Sequence, residues 1–157
     1  MKESLFFICV MAVTVYLAVT AWEDYQTCEV TRWKHLIGGI PAVFLLCMKY
    51  SQYSWQEYVM ILAFAFLFVL IGFMGVYGVA DGYVFMILTL FLGSIGGLAG
   101  IGCVLLIMTT AAFSFLLRHV AKCVRAHTKV QNVTGALIPH IFIGYVVVSV
   151  SMIFYVT

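Results

Sequence analysis

The chain has 157 residues, of which 65% are hydrophobic and 9% charged, with a formal net charge of +2. A soluble domain carries about 25% charged residues and keeps a large surface in water even at this size. That composition excludes an ordinary soluble domain and makes lipid the natural solvent for the surface.

Ser4 to Trp22 is an apolar run of the length that spans a bilayer, with Trp22 placed as an interfacial anchor. A cleaved signal peptide is the alternative, suggested by the small residues Ala18 and Ala21. Against it, Lys2 is offset by Glu3, and the run exceeds the usual apolar core of such peptides. Glu23 to Lys34 is polar and reads as a loop or a frayed helix end. His35 to Met48 is a short apolar segment containing Gly38, Gly39 and Pro41, and needs flanking residues to span. Lys49 to Glu57, with Tyr50, Tyr53 and Trp55, reads as an aromatic-decorated outer loop, and Tyr58 to Gly75 as a third span.

Tyr83 to Leu117 runs without a charged residue. One helix of that length would measure roughly 52 Å against a hydrocarbon core of about 30 Å, so it must break. The glycines at 93, 96 and 97 mark the place, giving a short fourth span and a fifth over Leu98 to Leu117. Ala136 to Tyr155 is the sixth. The expected fold is therefore all-α: a single polytopic membrane domain over residues 1–157, with six transmembrane helices.

Charge orients it. The loops after spans one, three and five hold Arg32, Lys34, Arg118, Lys122, Arg125 and Lys129, whereas the termini and other loops hold only Lys2 and Lys49. The positive-inside rule makes the first set cytoplasmic and puts both termini on the non-cytoplasmic side. The basic loop reads chiefly as this topology signal, with binding of anionic lipid headgroups as a lesser option. The five cysteines form no C-x-x-C and imply neither a zinc site nor a disulfide framework. The four histidines share no metal-ligand spacing, and His140 beside Pro139 reads as a hydrogen-bonded packing residue. No metal, no cofactor and no nucleic-acid partner are expected.

Two acids stand out among six: Asp24, just past the first apolar run, and Asp81, between two apolar runs. The threading sets both at the cytoplasmic membrane face. Each has a plain alternative, Asp24 as a solvated juxtamembrane charge and Asp81 as a helix N-cap. Gly75, Gly78, Ala80 and Gly82 surround Asp81 with little side-chain bulk, so a backbone or substrate could approach closely. Two carboxylates brought together share one proton and can activate water against a peptide bond. Glu23 and Glu29 could attract a basic substrate segment, although solvated loop charges are the commoner reading.

Asp24-Tyr25-Gln26-Thr27-Cys28-Glu29-Val30-Thr31-Arg32-Trp33 resembles the first aspartate motif of the type IV prepilin peptidases, D-x-x-T-x-x-I-P-N-W. Gly78-Val79-Ala80-Asp81 resembles their G-x-G-D motif, and Gly135-Ala136-Leu137-Ile138-Pro139, leading to Gly144, is similar to their final-span pattern. Ala80 stands at the motif's second glycine, Thr31 at its proline, and Gly82 where an apolar residue is common. The chain lacks the paired C-x-x-C segment of the larger bacterial members and resembles the minimal, peptidase-only form. The resemblance implies an intramembrane aspartyl endopeptidase in the cell membrane. Asp24 and Asp81 would be catalytic, shaped by Gly78, Ala80 and Gly82, and Glu23 and Glu29 would attract the basic leader of a prepilin-like precursor. An aspartyl peptidase with another substrate, an inactive relative disabled at Ala80, and a small proton- or cation-coupled transporter component are the alternatives.

Overall fold

The computed structural model describes residues 2–125 and 135–156. They form α1 (Lys2–Thr27), α2 (Arg32–Lys49), a short 3-10 turn (Tyr50–Gln52), α3 (Trp55–Phe73), α4 (Val79–Gly96), α5 (Leu98–Arg125) and α6 (Ile138–Val156), with no strand among them. Four of these helices, α1, α3, α4 and α5, are long and apolar enough to cross a bilayer, and Ile138–Val150 of α6 is a shorter apolar helix. The protein is all-α and membrane-like. Lys129 and His127 lie outside the described residues.

Each helix boundary has a local cause. Ser54 caps α3 through a complete capping box, its hydroxyl accepting from the Glu57 N–H while the Glu57 carboxylate accepts from the Ser54 N–H. The long apolar stretch does break where the glycines fall: α4 ends at Gly96, and Gly97 turns the chain at φ +56, a backbone state that costs glycine little. Tyr53 secures that corner by donating its hydroxyl to the Ser94 carbonyl at 2.8 Å.

α4 is the axis of the bundle. Of its apolar window 67% is buried, against 22–33% for the other three long helices. A helix that is apolar all round belongs in the interior, and Val84, Phe85, Ile87, Leu88 and Phe91 show it enclosed on every side. α2, α3 and α5 pack directly on it, while α1 and α6 close the bundle by packing on each other, α1 also on α2 and α6 also on α5. In lipid there is little hydrophobic drive between helices, so close backbone approach must supply the packing. Gly100 accordingly sits against the Leu92 carbonyl of α4, and Gly144 of α6 lies where a Cβ would be 3.1 Å from the Ile107 carbonyl of α5.

Most of the charged residues gather at one end. The C-terminus of α1 meets the N-terminus of α6 through Asp24 and Ile138, and the start of α2 through Glu23 and Lys34. Arg118 of α5 lies over the Tyr25 ring, 5.2 Å from its centroid. Asp24, Asp81 and the basic residues at 32, 34, 118, 122 and 125 thus belong to a common end of the bundle, while Lys49 closes α2 at the opposite end.

Candidate active site

Asp24 is not a solvated loop charge. α1 continues past Trp22 to Thr27, so Asp24 sits inside the helix with only 6% of its surface exposed. Tyr16, Thr20 and Asp24, spaced by four, fall on one buried face. The carboxylate Oδ2 accepts the backbone N–H of Ile138, the first residue of α6, at 3.0 Å. The first turn of α6 is then fully accounted for. Pro139 has no N–H, and His140 and Ile141 donate to the Leu137 carbonyl at 2.9 and 3.1 Å. A carboxylate at the C-terminal end of its own helix is unfavourable, but facing the N-terminus of another helix offsets this. α1 then stops at Cys28, held at φ 55, whose N–H reaches back to the Asp24 carbonyl at 2.9 Å.

Asp81 is the third residue of α4, and the N-cap is Gly78, not Asp81. Its Oδ2 accepts the Gly78 N–H at 3.1 Å, and with no side chain at 78 only this reciprocal half of a capping box exists. Asp81 is 9% exposed. A Cβ at residue 78 would lie 2.8 Å from that oxygen, so glycine there leaves the carboxylate its position. The clearance at Gly82 is already filled: a Cβ there would be 3.0 Å from the Phe68 carbonyl of α3. That carbonyl also accepts the Tyr77 hydroxyl at 2.7 Å. Ala80 is half-buried against the core in ordinary helical backbone. Part of the small-residue setting around Asp81 therefore serves the α3–α4 contact.

The two acids lie at the same end of the bundle and are both shielded from water. Just inside them lies a polar link that the sequence reading missed. His35 of α2 meets the Tyr16 hydroxyl through Nδ1 at 2.7 Å and packs against Tyr83 of α4, the rings tilted by 32° with centroids 5.4 Å apart. Its buried Nε2 has no hydrogen-bond partner among the described residues. Gly38, one turn along, makes room for the Tyr16 ring, which a Cβ would meet at 2.5 Å. His35 and Gly38, spaced by three, mark one face of α2, but nothing in the sequence names Tyr16 as the group that meets it.

Elsewhere, Ser114 and His140 Nδ1 are 2.8 Å apart and tie α5 to α6. Because the Ser114 hydroxyl also reaches the Ala111 carbonyl at 3.1 Å, the pair reads as a packing contact between helices. Glu23 is engaged with Lys34 at 2.7 Å and with the Thr31 hydroxyl at 2.8 Å, fastening the α1–α2 turn, whereas Glu29 is exposed. Among the described residues no three His, Cys, Asp or Glu side chains cluster as metal ligands.

No protein-family model, curated protein or solved structure matches this chain. The site is therefore read from its own chemistry. Two buried carboxylates on separate helices give one end of the bundle two shielded groups that can take up and release a proton.

Proposed function

We propose that the protein is a six-span membrane aspartyl endopeptidase that removes the leader from type IV pilin-like precursors. Asp24 and Asp81 act as its catalytic pair at the cytoplasmic face of the cell membrane, with both termini on the other side. The observation that carries the reading is the burial of both acids, 6% and 9% exposed, on two separate helices at the same end of the bundle. The resemblance of their sequence settings to the two prepilin-peptidase motifs selects the substrate class.

In this mechanism the pair holds one proton. The ionised aspartate takes a proton from water as the water oxygen attacks the scissile carbonyl. The protonated aspartate hydrogen-bonds the carbonyl oxygen and then protonates the departing amine. The pair ends as it began, with one proton. A substrate can offer its carbonyl only where its own helix has ended, which places the cut at the junction of basic leader and apolar segment. Exposed Glu29 attracts that leader, and Glu23 acts through its ion pair with Lys34 to hold the turn. Gly78 leaves Asp81 its position, Gly82 lets α4 sit close to α3, and Ala80 packs half-buried against the core beside Asp81.

A second reading has a specific observation behind it: each acid already accepts a backbone N–H, from Ile138 and from Gly78, as a purely structural cap does. Asparagine separates the two. Its side-chain oxygen still accepts the N–H, but it cannot carry the proton. Loss of precursor cleavage in D24N and in D81N, with membrane insertion intact, supports the peptidase. Unchanged cleavage in either variant leaves only the cap. A transporter component would instead show altered ion flux and no cut product.

A further inference from the structure

α5 is 28 residues long, about 42 Å, and its apolar part ends at Leu117. Twenty residues from Leu98 to Leu117 cover about 30 Å, the thickness of the hydrocarbon core. Arg118 is therefore the first side chain beyond the acyl region, at the depth of the lipid phosphates, and Lys122 follows one turn later on the same face. A cleft of about 240 Å³ opens there between α1, α5 and the residues leading into α6, lined by Tyr25, Phe115, Arg118, His119, Lys122 and Gly135 among others.

The cleft is built, not merely basic. The Arg118 guanidinium lies over the Tyr25 ring, 5.2 Å from its centroid, a contact that favours this placement of the cation. His119 has a buried Nε2 with no hydrogen-bond partner among the described residues. Of the three acids flanking the α1 part of the lining, Asp24 is turned away to the Ile138 N–H and buried there, Glu23 is paired with Lys34, and Glu29, next to Cys28, is exposed and does not line the cleft. Two cations and an unsatisfied ring nitrogen thus line a cavity with no acid among its lining residues. A guanidinium with a lysine one turn away matches the forked oxygens of a phosphate.

We propose that this cleft binds a phosphate-bearing anion, Arg118 holding two phosphate oxygens and Lys122 the net charge. At this depth the phosphate of an anionic lipid headgroup and a soluble phosphate offer the same chemistry. The proposal is independent of the peptidase reading, because binding is measured without any substrate.

The test uses the full chain purified in a neutral detergent. Ligand binding is followed by native mass spectrometry and by thermal shift, with phosphatidylglycerol, phosphatidylcholine, sn-glycerol 3-phosphate and inorganic phosphate as separate probes. Phosphatidylglycerol should bind wild-type protein at least tenfold more tightly than R118Q/K122Q. The control R32Q/R125Q removes the same charge from the same end of the bundle and should bind like wild type. Equal Arg118- and Lys122-dependent binding of inorganic phosphate or glycerol phosphate identifies a soluble ligand; dependence seen with the lipid alone identifies the headgroup. Equal weakening in both double variants would show a diffuse charge effect and overturn the site, as would binding of no probe. K122Q, at an exposed position, carries the same test should the Arg118 variant fail to fold.

Discussion

Asp24 Oδ2 and the backbone N–H of Ile138, 3.0 Å apart and separated by 114 residues of chain, join the end of the first helix to the beginning of the last. The bond gives Asp24 a structural task as well as a proposed chemical one. Replacing it with alanine strands a buried donor, which costs about 1–3 kcal/mol. D24A should therefore unfold at a lower temperature than D24N in detergent, since asparagine keeps an acceptor. Equal melting temperatures for the two would mean that the bond contributes nothing.

Neighbouring glycines on α2 should respond with opposite sign. G38A drives a Cβ to 2.5 Å from the Tyr16 ring and disturbs the Tyr16–His35 contact, so a loss of about 1–3 kcal/mol is expected, as for other overpacked sites. At Gly39 nothing lies within 4 Å of the new Cβ. G39A should stabilise by about 0.5–1 kcal/mol, the ordinary gain of alanine over glycine in a helix. Thermal unfolding of the two variants side by side checks both.

Ala80 occupies the second residue of α4 in helical backbone, where no left-handed conformation is needed. A80G should therefore leave precursor cleavage within about twofold of wild type while lowering stability by about 0.5–1 kcal/mol. A large gain of activity in A80G would show that the alanine obstructs substrate, and would turn attention to the inactive-relative alternative.

Much of the bundle was legible from hydropathy and glycine placement. The break between α4 and α5 falls at the predicted glycines because Gly97 alone there takes positive φ, and α2 does borrow its flanking residues, beginning at Arg32. Less legible was how far helices run beyond their apolar cores. α1 extends to Thr27 and α4 starts at Val79, so both aspartates lie within helices, and the polar linker shrinks to residues 28–31. Hydropathy marks where lipid ends, whereas a helix ends where its backbone bonds do, here at Cys28. The links from Tyr16 to His35 and from Ser114 to His140 were out of reach for another reason. They depend on which faces of separate helices meet, and that is set by the bundle as a whole. The clearance at Gly82 was read as room for a substrate, yet α3 occupies it.

The central claim is that Asp24 and Asp81 jointly handle one proton against a peptide bond. It is tested most directly by co-expressing a tagged prepilin with wild type, D24N and D81N, and reading the amino terminus of the product in isolated membranes. The account predicts a new amino terminus at the leader junction with wild type. Either asparagine variant should reduce it at least a hundredfold, with equal amounts of inserted protein. Undiminished processing by D24N or D81N, or an uncut precursor beside well-folded wild type, would contradict it.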